Sequence, residues 1–258
     1  MKVKIFKYSV VCLCITFAIG FVITAAMLIK QSMNDIMIND SVVSLTHNVK
    51  YKSPAKTINE VPVFRQEISC GYACIEMLSD YLGGDGELTE EILFELNGGK
   101  ITTSTNKGFY DEIRKQFPEH KITQYKNLKN SEMLDKIYKS VLNNMPVIFA
   151  YAAADINPDK SEDLHNWVLH YGLAVEIDIP GDKITVINPY GYIETYALND
   201  FLRATRFENY DNMEFYLKLG FAAGMFSKNT IYIIDEIAES EEIIETSEII
   251  EPEIAVED

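Results

Sequence analysis

Cys70 stands in RQEISCGYAC, directly before a run in which Ala73, Cys74, Met77, Leu78, Tyr81 and Leu82 recur at helical intervals. A thiol at the start of a helix meets unpaired backbone N–H groups and the positive end of the helix dipole, and both favour the thiolate. That is the setting of a nucleophile. Gln66, four residues earlier, brings a side-chain amide suited to an oxyanion, and Gly71 leaves room for a carbonyl at the helix start. The competing reading makes Cys70 a small buried apolar residue, the commoner use of cysteine. Cys74, one turn further along on the packed face, reads that way.

A nucleophilic thiol needs a base, and the chain has four histidines, His47, His120, His165 and His170. His47 falls in polar sequence and His120 in a charged loop, so both are expected in solvent. His170 interrupts the apolar strand pattern WVLHYGLAV, where an unsatisfied imidazole is expensive. Asn188, in VINPYG at the end of the next strand, sits where its carboxamide can hold one ring nitrogen and turn the other toward the thiol. The alternatives are a core histidine paired with some other group, and His165 as base, at the loop edge of the strand and on the opposite alternation.

The elements that must carry these residues follow from periodicity. Cys70 to Leu82, closed by Gly83-Gly84, is expected as a helix buried on one side. Thr89 to Leu96 and Ser131 to Leu142 repeat the pattern, with Thr89 and Ser131 as caps, so the first half reads as mostly helical. After Pro146 come strand patterns at Val147 to Ala152, Trp167 to Ile177, Lys183 to Ile187, Tyr192 to Tyr196 and Thr230 to Ile234. Pro180-Gly181-Asp182 supplies the turn of a hairpin. Helices followed by an antiparallel sheet make an α+β domain over residues 61–234. The loop 153–164 is expected to border its cleft, and Trp167 to pack beside the site.

The two ends differ from this core. Tyr8 to Ile29 is an uncharged run of 22 residues, about 33 Å as a helix and enough to cross a bilayer. Lys2, Lys4 and Lys7 precede it and Lys30 alone follows closely, so residues 1–7 are expected in the cytoplasm and everything beyond the anchor outside. A cleaved secretory signal is the alternative, but the run is long and no Ala-x-Ala closes it. Residues 30–60 are polar and mixed and read as a stalk. The chain carries a net charge of −16, but residues 235–258 hold eleven acids and no base, leaving −5 for the rest. That tail is expected to be flexible, and the lack of a basic surplus argues against nucleic acid as a partner. Cys12 and Cys14 lie inside the apolar run, so Cys70 and Cys74 form no disulfide framework. No second Cys or His pair stands at zinc-finger spacing, and no metal or organic cofactor is implied.

RQEISCGYACIEML resembles the nucleophile segment of bacterial papain-superfamily cysteine peptidases related to the double-glycine leader peptidases, in which a Gln precedes a Cys-Gly that opens the central helix. NWVLHYGLAVEIDIPGDKITVINPYG is similar to their second segment, with His on a strand, a hairpin, and Asn or Asp just before Pro. The order Cys, His, Asn is also the family's, and the likeness runs from about Val61 to Ile234. It implies a papain-like fold, thiol-dependent hydrolysis of peptide or protein substrates by Cys70, His170 and Asn188, and Gln66 at the oxyanion. The chain departs from the family in carrying Glu176 where a glycine tends to follow the histidine by six residues, and Asn188 where relatives often have Asp. Two other readings share the constellation: a papain-like amidase or acyltransferase, and a surface-displayed binding or adaptor protein that keeps the fold without chemistry, its acidic tail offered to a basic partner.

Overall fold

The computed structural model describes residues 2–51, 57–101, 107–154, 167–207, 220 and 223–236. The N-terminal run forms a single helix, α1, over Lys2–Thr46. It is long and apolar enough to cross a membrane, with a mean hydropathy of 2.2, and Phe17, Phe21, Leu28 and Ile29 are exposed along it. Beyond the apolar run the same helix becomes a packing element. Asn34, Ile38, Val42 and Leu45 recur on one face, are buried, and lie on the side of the helix that meets α5 (Asn130–Leu142) and α6 (Leu198–Arg206). The expected stalk over 30–60 is therefore corrected up to Thr46. Its polar residues, such as Asn39 and Asp40, are the outer face of an amphipathic helix whose inner face joins the core. Arg203 of α6 pairs with Asp35 at 3.2 Å. A 3-10 turn at Val49–Tyr51 then buries Tyr51, whose hydroxyl donates to Asp135 of α5 at 2.7 Å.

Strand-forming residues with one or both faces apolar give a six-stranded sheet. Its strands are β1 (His120–Tyr125), β2 (Val147–Ala154), β3 (Trp167–Asp178), β4 (Lys183–Asn188), β5 (Tyr192–Tyr196) and β6 (Ile231–Glu236). The order is β1-β6-β2-β3-β4-β5, with every pairing antiparallel. The expected hairpin joins β3 to β4: Asp182 takes φ +54° and the Gly181 N–H donates to Asp178 Oδ1 at 2.9 Å. Glu176, the departure from the family's glycine, stays in the strand opposite Thr185, and a bulge falls at the neighbouring Val175. The bulge frees the Val175 carbonyl to accept the N–H of Ile58 at 3.0 Å, which ties the segment before the site to the sheet.

Three details differ from the sequence reading. His120 is half-buried as the first residue of β1 rather than solvated in a loop, because the HKITQY strand pairs with the C-terminal β6, a partner more than a hundred residues away. Two further helices, α4 (Lys107–Gln116) and α6, carry mostly charged outer faces that blur their periodicity. Helix α5 starts one residue before the expected cap, with Lys129 rather than Ser131 at the N-cap. Helix α3 (Glu90–Leu96) has the expected cap, Thr89 accepting the Ile92 N–H.

The mixture of helices and antiparallel sheet encloses one hydrophobic cluster that takes in α1, α2 (Cys70–Tyr81), α5, α6 and the central strands. Helix α2 lies against β3. That contact brings together the two segments carrying the candidate residues. The loop 153–164, apart from its first two residues, and the acidic tail beyond Glu236 lie outside the described residues, as does His165.

Candidate active site

Cys70 opens α2, as the spacing predicts. Its neighbour Gly71 is buried, and a Cβ there would come within 2.8 Å of Cε2 of Phe109 and 3.3 Å of Cδ2 of Tyr171. Phe109 stacks on Tyr171 with ring centroids 4.0 Å apart. The glycine thus serves close packing of the helix start on α4 and β3, not an open approach for a carbonyl as the sequence suggested. This packing sets the sulfur beside β3, where the backbone N–H of Tyr171 acts on it together with those of Gly71 and Cys70 itself. Burial outweighs them and pushes the Cys70 thiol up to about 11. The helix start therefore favours the thiolate as expected, but in the resting protein the group is a thiol. Cys74 is fully buried and burial raises its thiol further, in keeping with a packing role.

His170 precedes Tyr171 on β3 and is buried, 3% exposed. It lies opposite Tyr151 of β2 in the strand register, and its ring stacks on Tyr190 at 4.5 Å between centroids. Across the hairpin its Nε2 is 3.0 Å from Asn188 Oδ1. The expected histidine–carboxamide pair is thus formed.

The orientation of Asn188 follows from its other neighbours. Its Oδ1 also accepts the backbone N–H of Tyr190 at 3.0 Å, while its Nδ2 donates to Tyr192 Oη and to Glu194 Oε2, each at 3.2 Å. A carboxylate accepts only, so it selects the amide NH₂ and turns the carbonyl oxygen toward the imidazole. An accepting oxygen at Nε2 requires the proton on Nε2. The lone pair is then on Nδ1.

Gln66 meets this turn through its backbone: its N–H donates to the Pro189 carbonyl at 2.6 Å, and Arg65 bridges to Tyr190. Gly191, at φ +93° with Arg65 Cβ 3.0 Å from where its own Cβ would stand, permits the close approach. The Gln66 side-chain oxygen is buried with no hydrogen-bond partner among the described residues. Of the other histidines, His47 is exposed at the end of α1, its Nδ1 2.9 Å from the Val43 carbonyl oxygen, and His120 lies beside Phe117.

One residue of this site left no signal in the sequence. Glu90, at the start of α3, is 5% exposed, and its carboxylate accepts three consecutive backbone N–H groups, those of Glu67 at 2.9 Å, Ile68 at 3.0 Å and Ser69 at 2.7 Å. Its own N–H donates to Glu76 of α2 at 2.9 Å. The segment between Gln66 and Cys70 is therefore folded around a buried carboxylate.

Comparison with known proteins agrees with this geometry. Nothing among curated proteins matches the chain. Residues 58–218 match the model described as the Peptidase_C39 like family, a stretch that takes in Gln66, Cys70, His170 and Asn188. With more than half of its length matched, the chain belongs to the Peptidase_C39 like family, a family of cysteine-peptidase type.

Proposed function

We propose that this protein is a membrane-anchored, extracytoplasmic cysteine peptidase of papain-like fold, in which Cys70 is the nucleophile, His170 the base, Asn188 its orienting partner and Gln66 an oxyanion donor. The observation that carries the reading is the hydrogen bond from His170 Nε2 to Asn188 Oδ1, with the amide turned by Tyr190 and Glu194 so that Nδ1 holds the lone pair. Nδ1 takes the Cys70 proton, and the sulfur attacks a peptide carbonyl to give a tetrahedral oxyanion held by the Cys70 backbone N–H and the Gln66 amide. The imidazolium returns its proton to the departing amine, and water, activated by the same imidazole, hydrolyses the thioester. The raised Cys70 thiol makes this base obligatory. The unpartnered Gln66 side-chain oxygen supports the same reading, since an orphaned polar atom is costly to keep without a use.

The apolar part of α1 anchors the domain, with the Lys2, Lys4 and Lys7 end in the cytoplasm. Packing onto the domain begins at Asn34, five residues past Ile29, or about 8 Å along the helix axis. The catalytic domain is then held at the lipid surface. Acyl transfer or amide hydrolysis uses the same groups, and the high thiol of Cys70 favours a second reading, a binding protein without turnover.

A thiol-directed peptidase probe that does not cross membranes, applied to intact cells, separates these. Labelling of Cys70 that is lost in His170→Ala is the expected result. No labelling even after lysis, or equal labelling of Cys70 and Cys74, turns the reading to the binding protein. Labelling only after lysis overturns the external placement.

A further inference from the structure

The hydrogen bonds of Asn188 do not end at the amide. Glu194 of β5 is half-buried, and its Oε2 accepts both the Asn188 amide at 3.2 Å and the Tyr196 hydroxyl at 2.6 Å. Tyr192 donates its hydroxyl to the same carboxylate while its oxygen accepts from Asn188 Nδ2 at 3.2 Å. Every described hydrogen bond to Glu194 thus comes from a neutral donor, with no cation neutralising it among the described partners. The negative charge sits one hydrogen bond behind the group that holds His170.

We propose that Glu194 is a positioning residue for His170, acting through Asn188: its carboxylate fixes which end of the amide faces the imidazole, and so fixes the tautomer that leaves the basic lone pair on Nδ1. This rests on the peptidase reading above. Asn188 has two ends of nearly equal size, and only hydrogen bonding tells them apart. The Tyr190 N–H favours Oδ1 toward His170, and Glu194 forbids Oδ1 on its own side. With glutamine at position 194 that prohibition is gone. A glutamine can present its own NH₂ to Asn188, whose amide is then free to turn its NH₂ toward Nε2, forcing the ring proton onto Nδ1, where it cannot accept a proton from Cys70. Around the pair stand Tyr151 from β2, Tyr190 from the turn, and Tyr192 and Tyr196 from β5. None of these is charged at neutral pH, so the only nearby carboxylate facing Asn188 is Glu194.

The test is a two-residue exchange read by imidazole nitrogen NMR and by kcat/KM on a peptide. Glu194→Gln is expected to lower kcat/KM at least about tenfold, a modest share of the penalty for a wrong histidine tautomer, and to give His170 a population protonated on Nδ1. Asn188→Asp alone sets two carboxylates side by side and is expected to lower both activity and stability. Together, Asn188→Asp with Glu194→Gln moves the acceptor one step nearer the imidazole, and the pair is expected to recover most of the activity and the Nε2–H tautomer. Additive losses in the double variant, or an unchanged His170 tautomer in Glu194→Gln, overturn the proposal. If Glu194→Gln alone fails to fold, recovery in the double variant supports it and failure there overturns it. A protein with no peptidase activity whose His170 tautomer still follows position 194 would refute the peptidase reading and leave the coupling standing, so the two fail separately.

Discussion

The carboxylate of Glu90 accepts the backbone N–H of Ser69, the residue immediately before Cys70, at 2.7 Å. With Ile68 and Glu67 also donating to it, the loop that sets the direction of the nucleophile helix is folded on one buried side chain. Glutamine keeps the shape but replaces one accepting oxygen with a donor that faces backbone N–H groups. Hydrogen bonds to charged acceptors are worth more than neutral ones, and a buried N–H left without a partner costs about 1 to 3 kcal/mol. Glu90→Gln is therefore expected to destabilise the protein by about 2 to 3 kcal/mol in urea unfolding, and Glu90→Ala by more. An unchanged midpoint in both would show that water replaces the carboxylate without loss.

Burial raises the Cys70 thiol to about 11, so the protonated form persists through neutral pH and the thiolate accumulates only as pH rises toward that value. In His170→Ala, with the base removed, alkylation by iodoacetamide is expected to climb about tenfold per pH unit between pH 7 and 10, as the thiolate fraction does. Cys74, fully buried with its thiol raised further, is expected to stay unlabelled while the fold persists. A plateau near pH 8 in the variant would mean that the N–H groups of Tyr171, Gly71 and Cys70 outweigh burial.

Helix α1 joins the core through Ile38, Val42 and Leu45. Each buried aliphatic side chain contributes roughly 1.5 to 3 kcal/mol, so a chain starting at Gln31 is expected to unfold cooperatively, whereas one starting at Asn48 is expected to lose on the order of 5 kcal/mol and expose the faces of α5 and α6. The pairing of Arg203 with Asp35 is partly exposed and adds little to this difference. Thermal unfolding of the two truncated forms decides it, and equal midpoints would mean that the helix is only attached, not integral.

Legibility in the sequence followed how local each signal was. Cys70 before an apolar helix, and a histidine breaking an apolar strand one hairpin away from Asn188, are patterns within segments of a dozen or two residues, and the structure pairs His170 with Asn188 as that pattern implied. Glu90 and Glu194 gave no such sign. One reaches back across a loop to Ser69, and the other uses strand geometry to meet Asn188, and an acidic residue in an acidic chain looks like solvated surface until its partners are seen. The 31–46 segment misled for the opposite reason: its buried residues are spaced for a helix, but the polar majority around them matches the composition of a linker. Strand β1 was hidden because its pairing partner, β6, lies at the far end of the chain.

Gly71 offers the sharpest test of how packing governs the nucleophile. An alanine methyl there would stand 2.8 Å from the Phe109 ring and 3.3 Å from that of Tyr171, too close for either to remain in place. Phe109 is fully buried between Tyr171 and Tyr232 and has nowhere to retreat without disturbing both. Overpacking of this kind costs about 1 to 3 kcal/mol, which Gly71→Ala is expected to show as a lower unfolding midpoint. The larger consequence is local. Tyr171 carries the N–H that acts on the Cys70 sulfur and follows His170 in the strand, so a shift of Tyr171 alters the distance between thiol and imidazole. Activity in Gly71→Ala is therefore expected to fall by more than the loss of folded protein explains, with kcat reduced and KM little changed. A second change that makes room, Phe109→Leu, is expected to restore part of kcat. Recovery of stability without recovery of kcat would instead place the importance of Gly71 in the backbone of the helix start itself.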